Sequence, residues 1–286
     1  MEKILTKIGN SYIISAGKCS GTFPKLTRKI MARKPASRLV DTHFEDLSKY
    51  QASNDRSAPP SNRLKLRIED LKTFKPLTKN QKLFFEAYAN EDEAIMLYGS
   101  AGTGKTAISL YRALEQVLDK GNSFQKVVII RTCVPTRELG YLPGDADEKL
   151  AVYSDPYVKL CAELFNRKDA YSRLVEQNHI EFVSSSFLRG TTFDNSIIIF
   201  DEIQNANWAE IKTIMTRLGK NTKIILCGDY SQTDLLKTRN DSTGFNSMLS
   251  VANAMNEFTL IQFDTADIVR SKFVKSFIIT CEDLGL

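Results

Sequence analysis

Apolar residues follow two rhythms along this chain. Six short runs are apolar almost throughout, at 94–98, 127–132, 180–184, 196–200, 223–227 and 258–263. Such runs, rich in Ile and Val, predict strands buried on both faces of a sheet. Other stretches carry helical spacing, at 79–90, 105–119, 208–218 and 267–281. In the last of these, Ile268, Val269, Phe273, Val274, Phe277 and Ile278 fall on one helical face. Strands alternating with helices predict an α/β fold, a parallel sheet flanked by helices on both sides. There is no internal repeat.

The first 77 residues have a different texture. They hold 16 Lys or Arg against 7 Asp or Glu, a balance of +9, while the remainder balances at −4. Five of the eight prolines (Pro24, Pro35, Pro59, Pro60 and Pro76) also lie there. We read 1–77 as a basic, weakly structured extension with a linker at 53–62, and 78–286 as the folded domain. Two readings of the extension stay open, a solvated tail or a nucleic-acid contact working through phosphate attraction.

Composition narrows the class. The chain has 286 residues, 42% of them hydrophobic and 26% charged, which excludes wholly disordered and collagen-like proteins. No apolar run approaches the roughly 18 residues that span a bilayer. Five dispersed cysteines (Cys19, Cys133, Cys161, Cys227 and Cys281) form no CxxC pair. That pattern predicts reduced thiols in a cytoplasmic location, no membrane partner and no cysteine metal site.

The chemistry begins after the first apolar run. Gly99, Ser100, Ala101, Gly102, Thr103, Gly104, Lys105 and Thr106, followed by Ala107, match G-x-x-x-x-G-K-[ST]. The motif sits between a predicted strand and a predicted helix, the context it needs. The glycines let successive backbone N–H groups face a polyphosphate, and the helix N-terminus adds positive potential. Lys105 then serves the β/γ-phosphates and Thr106 serves Mg²⁺. ATP and Mg²⁺ are the expected cofactors.

A second run, 197–200, ends in Asp201 and Glu202. Asp201 is placed to hold Mg²⁺ or its water shell, and Glu202 to orient or deprotonate an attacking water. A third run, 224–227, ends in Gly228 and Asp229, with Gln232 shortly after. An amide there can both donate to and accept from a γ-phosphate, and so sense it.

Taken together, GSAGTGKT, RTCVPTRELGYLPGD (131–145), SSSFLRGTTFDNSIIIFDEIQNA (184–206), TRLG (216–219) and CGDYSQTDL (227–235) resemble the PhoH-like ATPases. These look like the first motor domain of superfamily 1 helicases. The resemblance runs from about 78 to 283 and implies a single RecA-like phosphate-loop NTPase core. It also implies catalytic roles for Lys105, Glu202, Gln204, Gln232 and Arg270, with Gln204 and Gln232 as γ-phosphate sensors. Gln81 matches a glutamine that reads adenine, and Arg270 an arginine that acts as a finger on the γ-phosphate. The sequence departs from the family where the strand before Arg131 leads into Thr132 and Cys133 rather than a proline.

One motor core lacks the second domain of a monomeric helicase. The resemblance therefore implies a homo-oligomeric ring, most simply a hexamer, with Arg270 or Arg217 supplied at the subunit interface. Arg131, Arg137, Tyr141 and Arg189 are candidate contacts to single-stranded RNA or DNA. The alternative is a nucleotide-gated switch that remodels a protein partner. A small-molecule kinase fits less well, because an Asp-Glu pair favours activation of water.

Overall fold

The computed structural model of the chain describes residues 6–8, 11–13, 65–90, 92–132, 146–185, 188, 190, 192–229 and 244–284. The chain divides into two units, residues 1–59 and 60–286. In the first, β1 (Thr6–Ile8) pairs antiparallel with β2 (Ser11–Ile13). Six residues of the basic extension thus form a short strand pair where the composition predicts weak structure. The rest of that expectation, up to 64, lies outside the described residues.

The second unit is an α/β layer structure built on six parallel strands. In chain order these are β3 (Ala94–Gly99), β4 (Lys126–Arg131), β5 (Ile180–Ser184), β6 (Ser196–Asp201), β7 (Thr222–Gly228) and β8 (Phe258–Phe263). All six match the predicted runs to within a residue or so. Their order across the sheet is β5-β4-β6-β7-β3-β8. One strand, β7, separates the strand before the phosphate loop from the strand bearing Asp201, which is the RecA-like arrangement.

Side chains alternate between the two faces because the strand period is two. Ile95, Leu97, Val127, Ile129, Ile197 and Ile199 pack into one core. Met96, Val128, Ile130, Ile198 and Phe200 pack into the other. The first core is covered by α1 (Lys79–Ala89), α2 (Lys105–Leu118), α3 (Ala146–Phe165) and α4 (Ala170–Glu176). The second is covered by α5 (Trp208–Met215) and α6 (Gly244–Ala254). Both faces being covered explains why the strands read as continuous apolar runs.

The core reaches back before Thr78. Leu66 is buried, and Ile68, Leu71 and Phe74 pack against the first core. The boundary drawn from composition at 77/78 leaves this packed segment on the side of the extension. Charged residues are interspersed along it, but Leu66, Ile68, Leu71 and Phe74 decide where it sits.

The C-terminal helix also differs from its expectation. Asp264 caps a short 3-10 turn, Thr265–Asp267, and α7 starts only at Lys272 (Lys272–Leu284). No residue of α7 is buried, and Phe273 is 80% exposed. Its apolar face is a surface feature of this chain; only Ile268, before the helix, is buried. Among the described residues no helix is long and apolar enough to cross a membrane.

Candidate active site

The site lies at the C-terminal ends of the parallel strands, where ligands of open α/β sheets bind. β3 ends at Gly99, whose φ of +120° only glycine adopts freely. A Cβ there would stand 2.0 Å from the Phe263 carbonyl oxygen, so glycine is required on space as well as conformation. The loop is braced from β8 and beyond it. Ser100 N–H donates to the Phe263 carbonyl at 3.1 Å, and Val269 N–H to the Gly102 carbonyl at 3.0 Å. Gly104, in the left-handed region, then turns the chain into α2.

Lys105 folds over this loop. Its ammonium donates to the carbonyls of Gly99 (3.0 Å) and Ser100 (2.7 Å) and to the Thr103 hydroxyl (3.3 Å). Burial lowers its pKa, opposed by Asp229, Cys227, Glu202 and Asp201 nearby. All three ammonium donors therefore have backbone or hydroxyl partners that a phosphate can replace.

The acidic side is assembled from separate elements. Asp201 ends β6, and its Oδ1 accepts from the Thr106 hydroxyl at 2.8 Å. Its Oδ2 accepts from the Tyr157 hydroxyl of α3, also at 2.8 Å. Arg131, the last residue of β4, hydrogen-bonds that same Tyr157 hydroxyl. Burial, with Asp201 close by, raises the Tyr157 pKa well above the usual phenol range, so the hydroxyl stays a donor.

Glu202 follows with φ +54°, ψ +42°. Five described non-glycine residues have positive φ, and the other four are asparagines, which tolerate it. For Glu202 the conformation costs about 1–2 kcal/mol. Such local cost concentrates at functional sites. Burial raises the Glu202 pKa, and the Asp201 charge adds to this. Gln204 donates to the Glu202 carboxylate and accepts from Asp229 N–H at 3.0 Å. The amide thus ties the Glu202 carboxylate to the end of β7.

These groups surround one cleft of about 790 Å³. Its walls include Gly102, Lys105, Thr106, Arg131, Tyr157, Asp201, Glu202, Asp229 and Arg270. Ala101, Thr103, Gly104 and Ala107 line it as well, whereas Gly99 and Ser100 shape the loop from behind. Gln204 and Gln81 are buried and are not among the lining residues. Gln81 is held by the backbone: its Oε1 accepts from Leu77 N–H at 2.8 Å, and its Nε2 donates to the Thr103 carbonyl at 2.9 Å.

Arg270 lines the cleft of its own chain, its Cγ lying 2.9 Å from where a Cβ on Gly102 would stand. Arg217 follows α5, and its carbonyl accepts from Phe193 N–H, just ahead of the start of β6. That places it at the opposite end of the sheet. Arg131 faces the acids in the cleft, where the sequence reading puts it on a strand-contacting loop. Gln232, Arg137, Tyr141 and Arg189 lie outside the described residues.

Sequence reasoning missed Tyr157 and gave Asp229 no role. Tyr157 sits in α3, a helix the sequence analysis did not predict and one that carries Pro156 inside it. Asp229 carried a usable signal, since it ends an apolar strand just as Asp201 does.

The donor set fits Mg²⁺. Thr106 and Asp201 offer hard oxygen atoms held side by side, and Mg²⁺ typically takes one or two protein oxygens plus phosphate and water. Among the described residues there is no cluster of three or more His, Cys, Asp or Glu that would form an all-protein cage.

The chain is similar to several known proteins. A PhoH-like protein of Bacillus subtilis is 34% identical over 212 residues, covering 72% of this chain and 63% of its own length. Protein PhoH of Escherichia coli is 33% identical over 198 residues, 68% of this chain and 55% of its own. The chain thus spans little more than half the length of these relatives. Among solved structures, the Pif1 helicase from Candida albicans aligns over 74% of this chain and 44% of its own, with 16% identity and a TM-score of 0.39. The family model described as PhoH-like protein matches residues 73–282, a stretch that contains every cleft residue named above, and the chain belongs to that family of phosphate-loop NTPases.

Proposed function

We propose that this chain is a Mg²⁺-dependent ATPase that couples hydrolysis to movement on RNA or single-stranded DNA as a ring of identical subunits. The observation that carries the hydrolytic reading is Glu202. It is a half-buried carboxylate with a raised pKa, held by Gln204, in the same cleft as the phosphate loop and the Thr106–Asp201 pair. A base so placed suits removal of a proton from water near neutral pH.

Each residue has a part. The loop N–H groups and Lys105 hold the phosphates. Thr106 and Asp201 hold the metal, which when bound neutralises phosphate charge. Glu202 orients and deprotonates the attacking water. Arg270 stabilises charge that develops on the terminal phosphate; its place beside Gly102 supports action within its own chain. Gln81, fixed to Thr103, places its amide beside the loop for the adenine, and Gln204 and Gln232 report on the γ-phosphate.

The polymer and ring readings rest on the resemblance of the motifs to the helicase-like PhoH ATPases. Both are tested together. Steady-state ATP hydrolysis is measured with Mg²⁺ while single-stranded RNA and DNA are titrated separately, with Lys105→Ala as the blank. Stimulation of several fold by one polymer is expected. A rate unmoved by either polymer favours a switch acting on a protein partner. Light scattering with an ATP analogue and Mg²⁺ is expected to show a species several times 32.3 kDa.

A further inference from the structure

The Asp201 carboxylate has a side chain on each oxygen. Thr106 donates to Oδ1 and Tyr157 to Oδ2, both at 2.8 Å. Thr106 is expected at a phosphate-loop metal site. Tyr157 belongs to α3, a helix outside every motif the sequence offers.

Tyr157 is built to be fixed. It is 1% exposed, and its ring packs at 5.7 Å against Phe182 of β5 within the first core. Its hydroxyl bonds Asp201, a residue of the cleft wall. A buried tyrosine needs a partner for that hydroxyl. Here it has two, donating to Asp201 and hydrogen-bonding Arg131. The result is a line of side chains, Arg131–Tyr157–Asp201–Thr106, drawn from β4, α3, β6 and α2.

From this arrangement we propose that Tyr157 is a positioning residue for the metal: its hydroxyl fixes the Asp201 carboxylate so that, with Thr106, it presents a preset pair of oxygens to Mg²⁺. The proposal rests on reading the cleft as a Mg²⁺–nucleotide site. The carboxylate is 5% exposed, so water substitutes poorly for a lost donor. Outer groups that orient metal-binding side chains are worth about 10–100-fold in metal affinity or activity.

The test uses the full chain and the variant Tyr157→Phe, which keeps the ring and removes the hydroxyl. Mn²⁺ serves as the probe, with its binding to the protein–AMP-PNP complex read by electron paramagnetic resonance. Nucleotide binding in EDTA and thermal melting are measured beside it. Tyr157→Phe is expected to weaken Mn²⁺ binding about tenfold. Metal-free nucleotide affinity is expected to stay within about twofold, since the hydroxyl bonds Asp201 and Arg131 rather than the phosphate loop.

Arg131→Gln provides a second variant, expected to weaken Mn²⁺ binding in the same direction by about threefold, as a more remote member of the line. Wild-type Mn²⁺ affinity in a folded Tyr157→Phe protein would overturn the proposal. If Tyr157→Phe fails to fold, unchanged Mn²⁺ affinity in Arg131→Gln would overturn it. Absence of Mn²⁺–nucleotide binding by the wild-type chain would overturn the underlying site reading instead, and the proposal with it.

Discussion

The two walls of the cleft are made in different ways. The phosphate loop is a backbone object. Its shape comes from glycines at positive φ and from carbonyls and N–H groups within one stretch of eight residues, braced by the chain after β8. The acidic wall is a side-chain object. Arg131, Tyr157, Asp201, Glu202, Gln204 and Asp229 come from separate elements and hold one another through hydrogen bonds. The comparison teaches that substitutions on the loop act through conformation. Substitutions on the acidic wall act through orientation and charge, with the fold intact.

The largest effect is expected where the loop has no room. Gly99→Ala puts a methyl 2.0 Å from the Phe263 carbonyl oxygen at a φ of +120°. It is expected to lower unfolding free energy by about 3 kcal/mol or more, read by denaturant titration. A wild-type midpoint would break the claim that the backbone sets this wall. Next comes Lys105→Ala, which leaves the loop conformation to its glycines. A loss of nucleotide affinity on the order of 100-fold is expected by calorimetry, with little change in melting temperature.

Arg270→Ala sharpens the comparison, because this arginine touches the loop by packing yet acts through charge. A fall in turnover on the order of 1,000-fold is expected, with nucleotide affinity kept. Mixing it with Lys105→Ala subunits is expected to give no rescue, since Arg270 lines its own cleft. Recovery of activity in the mixture would place the arginine in a neighbouring subunit.

The acidic wall also predicts a pH dependence. As the proposed base Glu202 must be deprotonated, and burial raises its pKa above the usual carboxylate value. Turnover is therefore expected to fall, as pH drops, at a higher pH than an exposed glutamate would give. The stability sign is the reverse of the usual acid. A raised folded pKa means the charged form is disfavoured in the folded state, and protonation relieves that cost as pH falls.

The smallest effect concerns the brace. Asn80 of α1 donates to Asp267 at 2.6 Å, tying α1 to the turn that precedes Arg270. Asn80→Ala is expected to cost about 1 kcal/mol by denaturant titration. A loss of turnover far beyond that of Arg270→Ala would show that the brace does more than hold.

The same contrast explains what the sequence discloses. The sheet is legible because each strand is apolar on both faces, and the phosphate loop because all its determinants are contiguous. α3 is hidden by Pro156 inside the helix, which ordinarily signals a break. Tyr157 is hidden with it, since its partner Asp201 is 44 residues away. The polarity of α6, with Asn246 and Asn253 among its apolar residues, conceals that helix in the same way. The start of α7 is misplaced because Ile268 and Val269, between the capped 3-10 turn at Thr265–Asp267 and the helix, share its apolar spacing.

Glu202→Gln tests the central claim most directly, with AMP-PNP binding and ATP turnover measured side by side in one preparation. The substitution keeps the shape of the side chain and the left-handed backbone, and removes the base. Binding within about twofold of wild type is expected, with turnover lowered by about 100-fold or more. Normal turnover in this variant would contradict the account, because the half-buried carboxylate beside Asp201 would then not be the base.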